Sequence, residues 1–252
     1  FLEGENGDAL LNEYGGDRVD IRLPENQMVF LRKLKEAAGE KPLVVVVTGG
    51  SAIALTEVVE LADAVIFAWY PGQEGGNALA SILFGDYNPS GRLPVTFYKS
   101  VNDLPDFEDY HMEDRTYRFF KGEALYEFGF GLSYADFEYS NLRVIQDSDS
   151  SNEEIEIRFT LKNKSNIDGE EVVQIYVKED TDRMKKPLKS LKGFQRVFLK
   201  AAEEKEVVFQ LPIDDLAHWD IESQSFIIQN DRIEFQIGAS SQNIRLRDTI
   251  QM

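Results

Sequence analysis

Two carboxylates flank a glycine at the start of the chain, in Phe1-Leu2-Glu3-Gly4-Glu5-Asn6. A charged stretch with glycine predicts a loop, and loops at the edge of a sheet commonly display catalytic groups. A carboxylic acid donates a proton near neutral pH only when burial or a neighbouring like charge raises its pKa. Most acidic loops are simply hydrated, so this pattern alone indicates candidate acid–base residues and no particular reaction.

A second candidate is the turn Gly49-Gly50-Ser51, which follows an apolar run. Such a turn resembles the start of a phosphate-binding loop. It lacks the G-x-G-x-x-G spacing and has no lysine after the glycines, so a tight strand-to-helix turn explains it better. A nucleotide-binding α/β domain is therefore the weakest of the functional alternatives.

The two histidines, His111 and His218, are the remaining candidates for acid–base or metal chemistry. His111 lies among the acids Glu108, Asp109, Glu113 and Asp114. Scattered acids in a loop usually form a hydrated face, and we therefore predict no metal and no cofactor. His218, next to Trp219, is interpreted as a packed or surface residue.

Composition narrows the possible functions. Of 252 residues, 42% are hydrophobic and 29% are charged, which is typical of a globular protein. The net charge of -18 would repel nucleic acid and anionic lipid, so we expect neither as a partner. No apolar run is long enough to predict a transmembrane helix. The absence of cysteine excludes disulfides, thiolate catalysis and Cys-ligated zinc. Because the chain opens at Phe1 rather than at a methionine, we expect it to be part of a longer protein.

The elements predicted to position these residues are, in the first part of the chain, alternating helices and strands. Apolar residues recur at helical spacing after Pro24, and Gly39 ends the pattern. The β-branched run 43–48 predicts a strand that is buried on both faces of a parallel sheet. Further helices are predicted at 55–61 and 74–84 and a second buried strand at 64–69, in an order that implies parallel pairing.

The rest of the chain differs in composition and in the spacing of its apolar residues. Residues 86–134 are rich in proline, glycine and aromatic residues, and predict a connector whose rings bury themselves at a domain junction, with Arg115 and Arg118 as its anchors. From Phe137 onward apolar and polar residues alternate, which predicts about seven strands of an immunoglobulin or fibronectin type III sandwich. The predicted fold is α/β plus all-β, with domains at 1–134 and 135–252.

Several motifs in this order resemble the C-terminal half of glycoside hydrolase family 3. They are E-G-E, G-G-D-R and L-P, then GGNALASILFGDYNPSGRLPVTFY from Gly75, RTYRFF at 115–120 and FGFGLSY at 128–134. The resemblance covers effectively the whole chain: part of an α/β sandwich domain with a mainly parallel sheet, then a fibronectin type III-like domain. The E-G-E and G-G-D-R variants are closer to the β-xylosidase and related β-glucosidase branch than to the cereal glucanase branch.

The resemblance implies a retaining exo-β-glycosidase that acts on the non-reducing ends of β-linked oligosaccharides or glycosides. It assigns the general acid/base to Glu5, with Glu3 as the fallback, because Asn6 departs from the usual pattern. The nucleophilic aspartate would lie in an N-terminal (β/α)8 barrel outside this chain. Asp17 and Arg18 are weak candidates for substrate binding, and an ion pair that ties the loop is the favoured interpretation. A periplasmic or secreted location is expected from the resemblance.

Retention requires two carboxyl groups about 5 to 5.5 Å apart. If Glu5 is the acid, its partner comes from outside this chain, and the chain alone is predicted to be inactive. β-Xylosides and β-glucosides both remain open as substrates. The alternative function is a carbohydrate-binding or assembly module, in which Trp219 and the tyrosines of the sandwich would contact sugar.

Overall fold

The computed structural model describes residues 20–146, 154–179, 186–228 and 232–252. Two compact units divide these residues. The α/β unit contains the described residues before Tyr87 together with Val95–Arg115 and Phe120–Tyr126, and the β unit contains Tyr87–Pro94, Thr116–Phe119 and Glu127–Met252. The units therefore interleave along the sequence. The domain boundary between residues 134 and 135 stays a prediction from the sequence.

The α/β unit follows the predicted order of helices and strands. Its elements are α1 (Glu25–Ala38), β1 (Val44–Val47), α2 (Thr56–Leu61), β2 (Ala64–Phe67) and α3 (Gly75–Leu83). Strands β1 and β2 pair in parallel, with Val44 opposite Ala64 and Val47 opposite Phe67. The expected parallel α/β arrangement is confirmed.

Helix α1 shows how the local sequence produces this layer. Met28 and Leu31 face inward and are buried. The Arg32 side chain bonds to Glu57 of α2 through Nε, and its Nη1 lies 2.8 Å from Oε1 of Glu25. Gly39 ends the helix with a φ of 58°, a left-handed conformation that glycine adopts without steric cost. The helix is therefore held by its apolar face and by ion pairs on its exposed side.

The β unit is the predicted sandwich. Its strands are β3 (Phe137–Gln146), β4 (Glu154–Asn163), β5 (Gly169–Glu179), β6 (Ser190–Leu199), β7 (Glu204–Pro212), β10 (Arg232–Gly238) and β11 (Ile244–Gln251). One sheet has the order β11-β10-β5-β6 and the other the order β3-β4-β7, with antiparallel pairs throughout. Alternate residues of both sheets form its core, including the fully buried Ile157, Leu161, Ile175 and Phe235. These seven strands agree with the number expected from the alternating pattern.

A separate hairpin extends the β unit. It consists of β8 (His218–Asp220) and β9 (Ser225–Ile227), with Trp219 opposite Phe226. The turn is held by Asp220, whose carboxylate accepts a hydrogen bond from the amide of Ser223 at 2.7 Å. The hairpin pairs with neither sheet of the sandwich among the described residues.

Several aromatic residues of the predicted connector pack against other rings of their own unit, whereas Phe107 and Tyr110 are exposed. In the β unit, Tyr117 of the short helix α4 (Thr116–Phe119) stacks on Phe128 at 4.4 Å between ring centroids and meets the Tyr176 ring edge-on at 5.8 Å. Its hydroxyl accepts a hydrogen bond from the Leu191 amide at 3.0 Å. In the α/β unit, Tyr98 meets Phe120 edge-on at 5.0 Å.

The two arginines predicted as anchors form hydrogen bonds with main-chain groups, Arg115 through its side chain and Arg118 through its own carbonyl. The Arg115 guanidinium donates to the carbonyl oxygens of Asp106, Asp109 and His111 in the α/β unit. The Arg118 carbonyl accepts a hydrogen bond from the Leu188 amide at 2.6 Å in the β unit.

Within the described part of the chain, none of the helices has the length and apolar character needed to cross a membrane.

Candidate active site

The predicted catalytic loop lies outside the described residues. This applies to Glu5, to its fallback Glu3, and to the weaker candidates Asp17 and Arg18. The described chain begins at Asp20, two residues after Arg18. The structure therefore defines the segment into which the loop leads and the sheet edge beside that segment.

An ion pair stiffens this segment. The Asp20 carboxylate accepts hydrogen bonds from Nε of Arg22 at 2.7 Å and from the Arg22 amide at 2.9 Å. The hydrogen bond from the Arg22 side chain is the main reason that the pKa of Asp20 is lowered. Asp20 is therefore a fixed anion and a poor proton donor at neutral pH.

The same segment is fastened to the loop that follows β1. The carbonyl oxygen of Ile21 accepts a hydrogen bond from the Ala54 amide at 2.8 Å, and Arg22 forms an isolated parallel bridge with Ala54. Ala54 is buried and lies between β1 and α2. In α/β sheets, ligands bind outside the carboxyl ends of the strands, and this loop leaves the carboxyl end of β1. The chain that follows the predicted catalytic loop thus runs along the edge where a substrate would bind.

The glycines at this edge serve packing rather than phosphate binding. A Cβ on Gly50 would lie 2.9 Å from Cε2 of Tyr70, so the tyrosine ring covers the glycine. Helix α2 begins only at Thr56 and has six residues, so the glycines do not lead into a helix N-terminus. The arrangement lacks the geometry of a nucleotide-binding turn.

Two aromatic residues at the end of β2 were not identified as site residues from the sequence. The strand was expected to reach Trp69, but it ends at Phe67, and Trp69 has a φ of 52°. A left-handed conformation is uncommon for a bulky residue and is often found at functional sites. The Trp69 ring packs edge-on against Phe67 at 4.7 Å and against Phe97 at 6.4 Å. The next ring, Tyr70, is 73% exposed.

Among the described residues, this edge offers hydroxyl groups and an exposed aromatic ring. Thr48, Ser51 and Tyr70 offer hydroxyl groups, and an exposed aromatic ring can stack on the apolar face of a pyranose. The sequence feature that could have indicated these aromatic residues is Trp69-Tyr70-Pro71-Gly72, directly after a predicted buried strand.

The two histidines differ in their surroundings within the described part of the chain. His111 is exposed, and its Nδ1 lies 2.7 Å from Oδ1 of Asp109, whose pKa is lowered chiefly by the hydrogen bond from the His111 amide. Across the described ranges, no group of three or more potential ligands is placed to hold a metal ion. Both ring nitrogens of His218 are buried and have no hydrogen-bond partner there.

Trp219 has an aromatic neighbour that the sequence pattern did not reveal. Its ring lies 5.3 Å from that of Phe226, at an interplanar angle of 75°. The two rings are 52% and 71% exposed, and Ile221 at the turn is 73% exposed. The hairpin therefore presents an apolar surface of two rings and one aliphatic side chain.

Comparison with known families covers both units. Residues 2–134 match the glycosyl hydrolase family 3 C-terminal domain, and residues 171–241 match the fibronectin type III-like domain. The chain belongs to glycoside hydrolase family 3. The expected fold class, a partial α/β sandwich domain followed by a fibronectin type III-like sandwich, is thereby confirmed.

Individual family 3 proteins resemble the chain along nearly its whole length. It is 44% identical to a xylan 1,4-beta-xylosidase of Xylanibacter ruminicola, over 95% of this chain and 27% of the relative. It is 33% identical to a periplasmic beta-glucosidase of Salmonella typhimurium, over 90% of this chain and 31% of the relative. The structure of a beta-D-glucoside glucohydrolase from Trichoderma reesei superposes with a TM-score of 0.84 at 29% identity, over 94% of this chain and 37% of the other.

The family 3 chain thus spans about a third of the length of the relatives it matches. These relatives are named as hydrolases of β-glycosides, in agreement with the class of enzyme expected from the motifs. The assignment of Glu5 within that class remains a prediction.

Proposed function

We propose that this chain is the C-terminal portion of a retaining, exo-acting β-glycosidase. The observation that carries the proposal is the 44% identity with a β-xylosidase over 95% of the chain. The substrate would be a β-linked oligosaccharide or glycoside, cleaved at its non-reducing end. The greater identity with the xylosidase than with the glucosidase makes β-xylosides the first substrates to test.

In this proposal Glu5 is the general acid/base. It first protonates the leaving glycosidic oxygen and then, as a carboxylate, removes a proton from the water that cleaves the glycosyl-enzyme intermediate. The nucleophilic aspartate belongs to an N-terminal (β/α)8 barrel of the full-length protein. Asp17 and Arg18 tie the loop rather than bind sugar. The anchoring of Ile21 to Ala54 supports this assignment, because it holds the end of the loop at the carboxyl edge of the sheet.

The test uses the full-length enzyme and two substrates that differ in leaving group. We expect Glu5→Ala to slow hydrolysis of an unactivated xylobioside far more than that of a nitrophenyl β-xyloside, because only the former needs a proton on its leaving group. Azide should restore turnover of the activated substrate by attacking the glycosyl-enzyme. Glu3→Ala is the matched control and should keep both activities. If Glu3→Ala lost activity in this way and Glu5→Ala did not, the general acid/base would be Glu3.

The chain of 252 residues provides a second test. It should not hydrolyse nitrophenyl β-xyloside or β-glucoside, since it carries one of the two required carboxyl groups. Robust turnover by the isolated chain would contradict the proposed division of catalytic groups.

The exposed pair of Trp219 and Phe226 supports a second candidate function, carbohydrate binding by the β unit. Affinity electrophoresis of the chain in soluble xylan would detect it. Trp219→Ala should abolish the retardation, whereas Phe194→Ala, at another exposed ring on β6, should not. Unretarded migration of the unmodified chain would exclude this function for xylan.

A further inference from the structure

Lys189 of the β unit has an unusual set of hydrogen-bond partners for a lysine. Its Nζ donates to Oε1 of Gln236 and to the main-chain oxygen of Ser241, each at 2.7 Å. Both acceptors are uncharged and belong to buried residues. Among the described residues no carboxylate forms an ion pair with Lys189, whereas the nearby Lys186 is paired with Glu179. The two acceptors match the two hydrogens of a neutral amine, and an ammonium ion has a third hydrogen to place.

The charged groups around Lys189 also disfavour a further positive charge. They are Lys178 of β5, Arg247 of β11 and one anion, Glu234 of β10, which already pairs with Arg247 at 3.4 Å. Burial and the two cations lower the pKa of Lys189 to about 8, although Glu234 and the Tyr176 ring, 5.7 Å from Nζ, act in the opposite direction. A part of the Lys189 population is therefore a neutral, nucleophilic amine near neutral pH.

The charge of the product distinguishes between the small electrophiles that such an amine can attack. An aldehyde, such as the open chain of a reducing sugar, gives an imine that is positively charged when protonated. Carbon dioxide gives a carbamate, whose negative charge Arg247 and Lys178 would stabilise. Ser241 offers a second match to an anion. Its hydroxyl is buried and has no hydrogen-bond partner within the described part of the chain, so it is available to donate to a carbamate oxygen.

We propose that Lys189 is a carbamylation site that takes up carbon dioxide. The lone pair of Nζ attacks the carbon of carbon dioxide, one carbon–oxygen π bond opens, and Nζ releases a proton to water. The product keeps one N–H for the main-chain oxygen of Ser241 and gains two oxygens, one of which accepts a hydrogen bond from the Ser241 hydroxyl. The bond to Gln236 is lost, and the attraction of Arg247 and Lys178 offsets that loss. The carbamate thereby fastens residues 239–243, which connect β10 to β11.

Isotope-labelled bicarbonate tests the proposal on the unmodified chain. The protein is incubated with carbon-13 bicarbonate near the pKa of Lys189, treated with triethyloxonium to convert carbamates into stable esters, digested and mapped by mass spectrometry. The exposed Lys200, which follows β6, is the internal control. We expect the labelled fraction at Lys189 to exceed that at Lys200 by about tenfold or more, because the neutral fraction of an amine rises about tenfold for each unit by which its pKa is lowered. Absence of the label at Lys189, or equal fractions at the two lysines, would overturn the proposal.

Two variants distinguish a carbamate site from an amine that is merely reactive. Ser241→Ala keeps the main-chain oxygen and removes the hydroxyl, so it should lower the labelled fraction at Lys189 by about fivefold, the factor that corresponds to one net hydrogen bond. Ser190→Ala is the matched control, since the Ser190 hydroxyl accepts from Arg118 at 3.4 Å, and it should leave the fraction unchanged. Equal fractions in both variants would refute the contact with Ser241. Incubation with xylose and borohydride tests the other electrophile, and a sugar adduct at Lys189 in preference to the carbamate would overturn the choice of carbon dioxide.

Discussion

Nη2 of Arg92 lies 2.9 Å from Oε1 of Glu171, and both side chains are more than nine-tenths buried. Arg92 belongs to the segment Tyr87–Pro94, and Glu171 to β5 of the sandwich. Burial raises the pKa of Glu171, although Arg92 acts in the opposite direction. The pair therefore pays a desolvation cost that its own attraction does not fully offset.

We predict that removing one partner of this pair is far more damaging than removing both. Arg92→Ala should lower the free energy of unfolding by about 3 to 5 kcal/mol, because it leaves a buried carboxylate without its counter-charge. The double variant Arg92→Met, Glu171→Leu should recover most of the loss. Urea unfolding of the chain measures both.

The partly exposed pair of Arg158 and Glu156 is the control for this prediction. Arg158→Ala should lower the free energy of unfolding far less than Arg92→Ala does, as is usual for ion pairs at the surface. A comparable loss at both sites, or a double variant no better than Arg92→Ala, would contradict the argument from desolvation.

The second prediction concerns where the β unit can be cut. A protein of residues 135–252 lacks Asn88, whose amide nitrogen donates to the Asp168 carbonyl at 3.2 Å. It also lacks Arg92 and the stacked ring of Tyr117. We expect residues 87–252 to unfold cooperatively and residues 135–252 to be markedly less stable, as measured by circular dichroism during heating. Equal melting temperatures would show that the segments before Ala135 contribute little.

The third prediction is a pH dependence that arises from Lys189. Its ammonium group donates to Oε1 of Gln236 and to the Ser241 carbonyl, each at 2.7 Å. Burial, helped by the nearby Arg247, lowers the pKa of Lys189 from 10.5 to about 8. Between these two values the unfolded chain binds more protons than the folded one, so the contribution of Lys189 to stability rises with pH across this window.

Lys189→Met removes this dependence. The free energy of unfolding of the unmodified chain, relative to that of the variant, should therefore increase from pH 7.5 to pH 10. Tyrosines and other lysines titrate in both proteins, so their effects cancel in the difference. A difference that stays constant or decreases with pH would contradict the lowered pKa.

The fourth prediction tests the contact between Gly50 and Tyr70 at the candidate active site. Gly50→Ala places a methyl group 2.9 Å from the outer edge of the exposed Tyr70 ring, which must move aside, so it should destabilise the chain by less than the ~1 to 3 kcal/mol that is usual for overpacking of a core. Adding Tyr70→Ala should remove most of that penalty. Gly76 of α3 has open space around its Cβ position, so Gly76→Ala is the matched control. It should stabilise the helix by about 0.5 to 1 kcal/mol. Additive effects of Gly50→Ala and Tyr70→Ala would contradict the contact.

Local patterns predicted the secondary structure well. Helical spacing around Met28 and Leu31 and the alternation along β4 report which face is buried, and both are properties of neighbouring residues. The end of β2 could not be predicted in this way. Trp69 leaves the strand because its ring packs on Phe97, which lies 28 residues further along the chain.

Long-range contacts account for the other differences between sequence and structure. The placement of Asn88, Arg92 and Tyr117 in the β unit depends on partners about 70 to 80 residues away. The pairing of Trp219 with Phe226 depends on hairpin register rather than on either residue alone. At the candidate site, the motif around Glu5 is a local pattern that the sequence shows, whereas the hydrogen bond between Ile21 and Ala54 joins residues 33 positions apart and leaves no local pattern.

The interleaving of the two units also restricts which recombination breakpoints can leave the sandwich intact. The chain passes from one unit to the other at residues 86, 94, 115, 119 and 126. A recombination event that joined the sandwich to a new neighbour at Ala135 would separate Glu171 from Arg92. Only a breakpoint before Tyr87 keeps the sandwich whole, and such a breakpoint carries part of the α/β unit with it. The two units are therefore expected to be gained, lost and duplicated together.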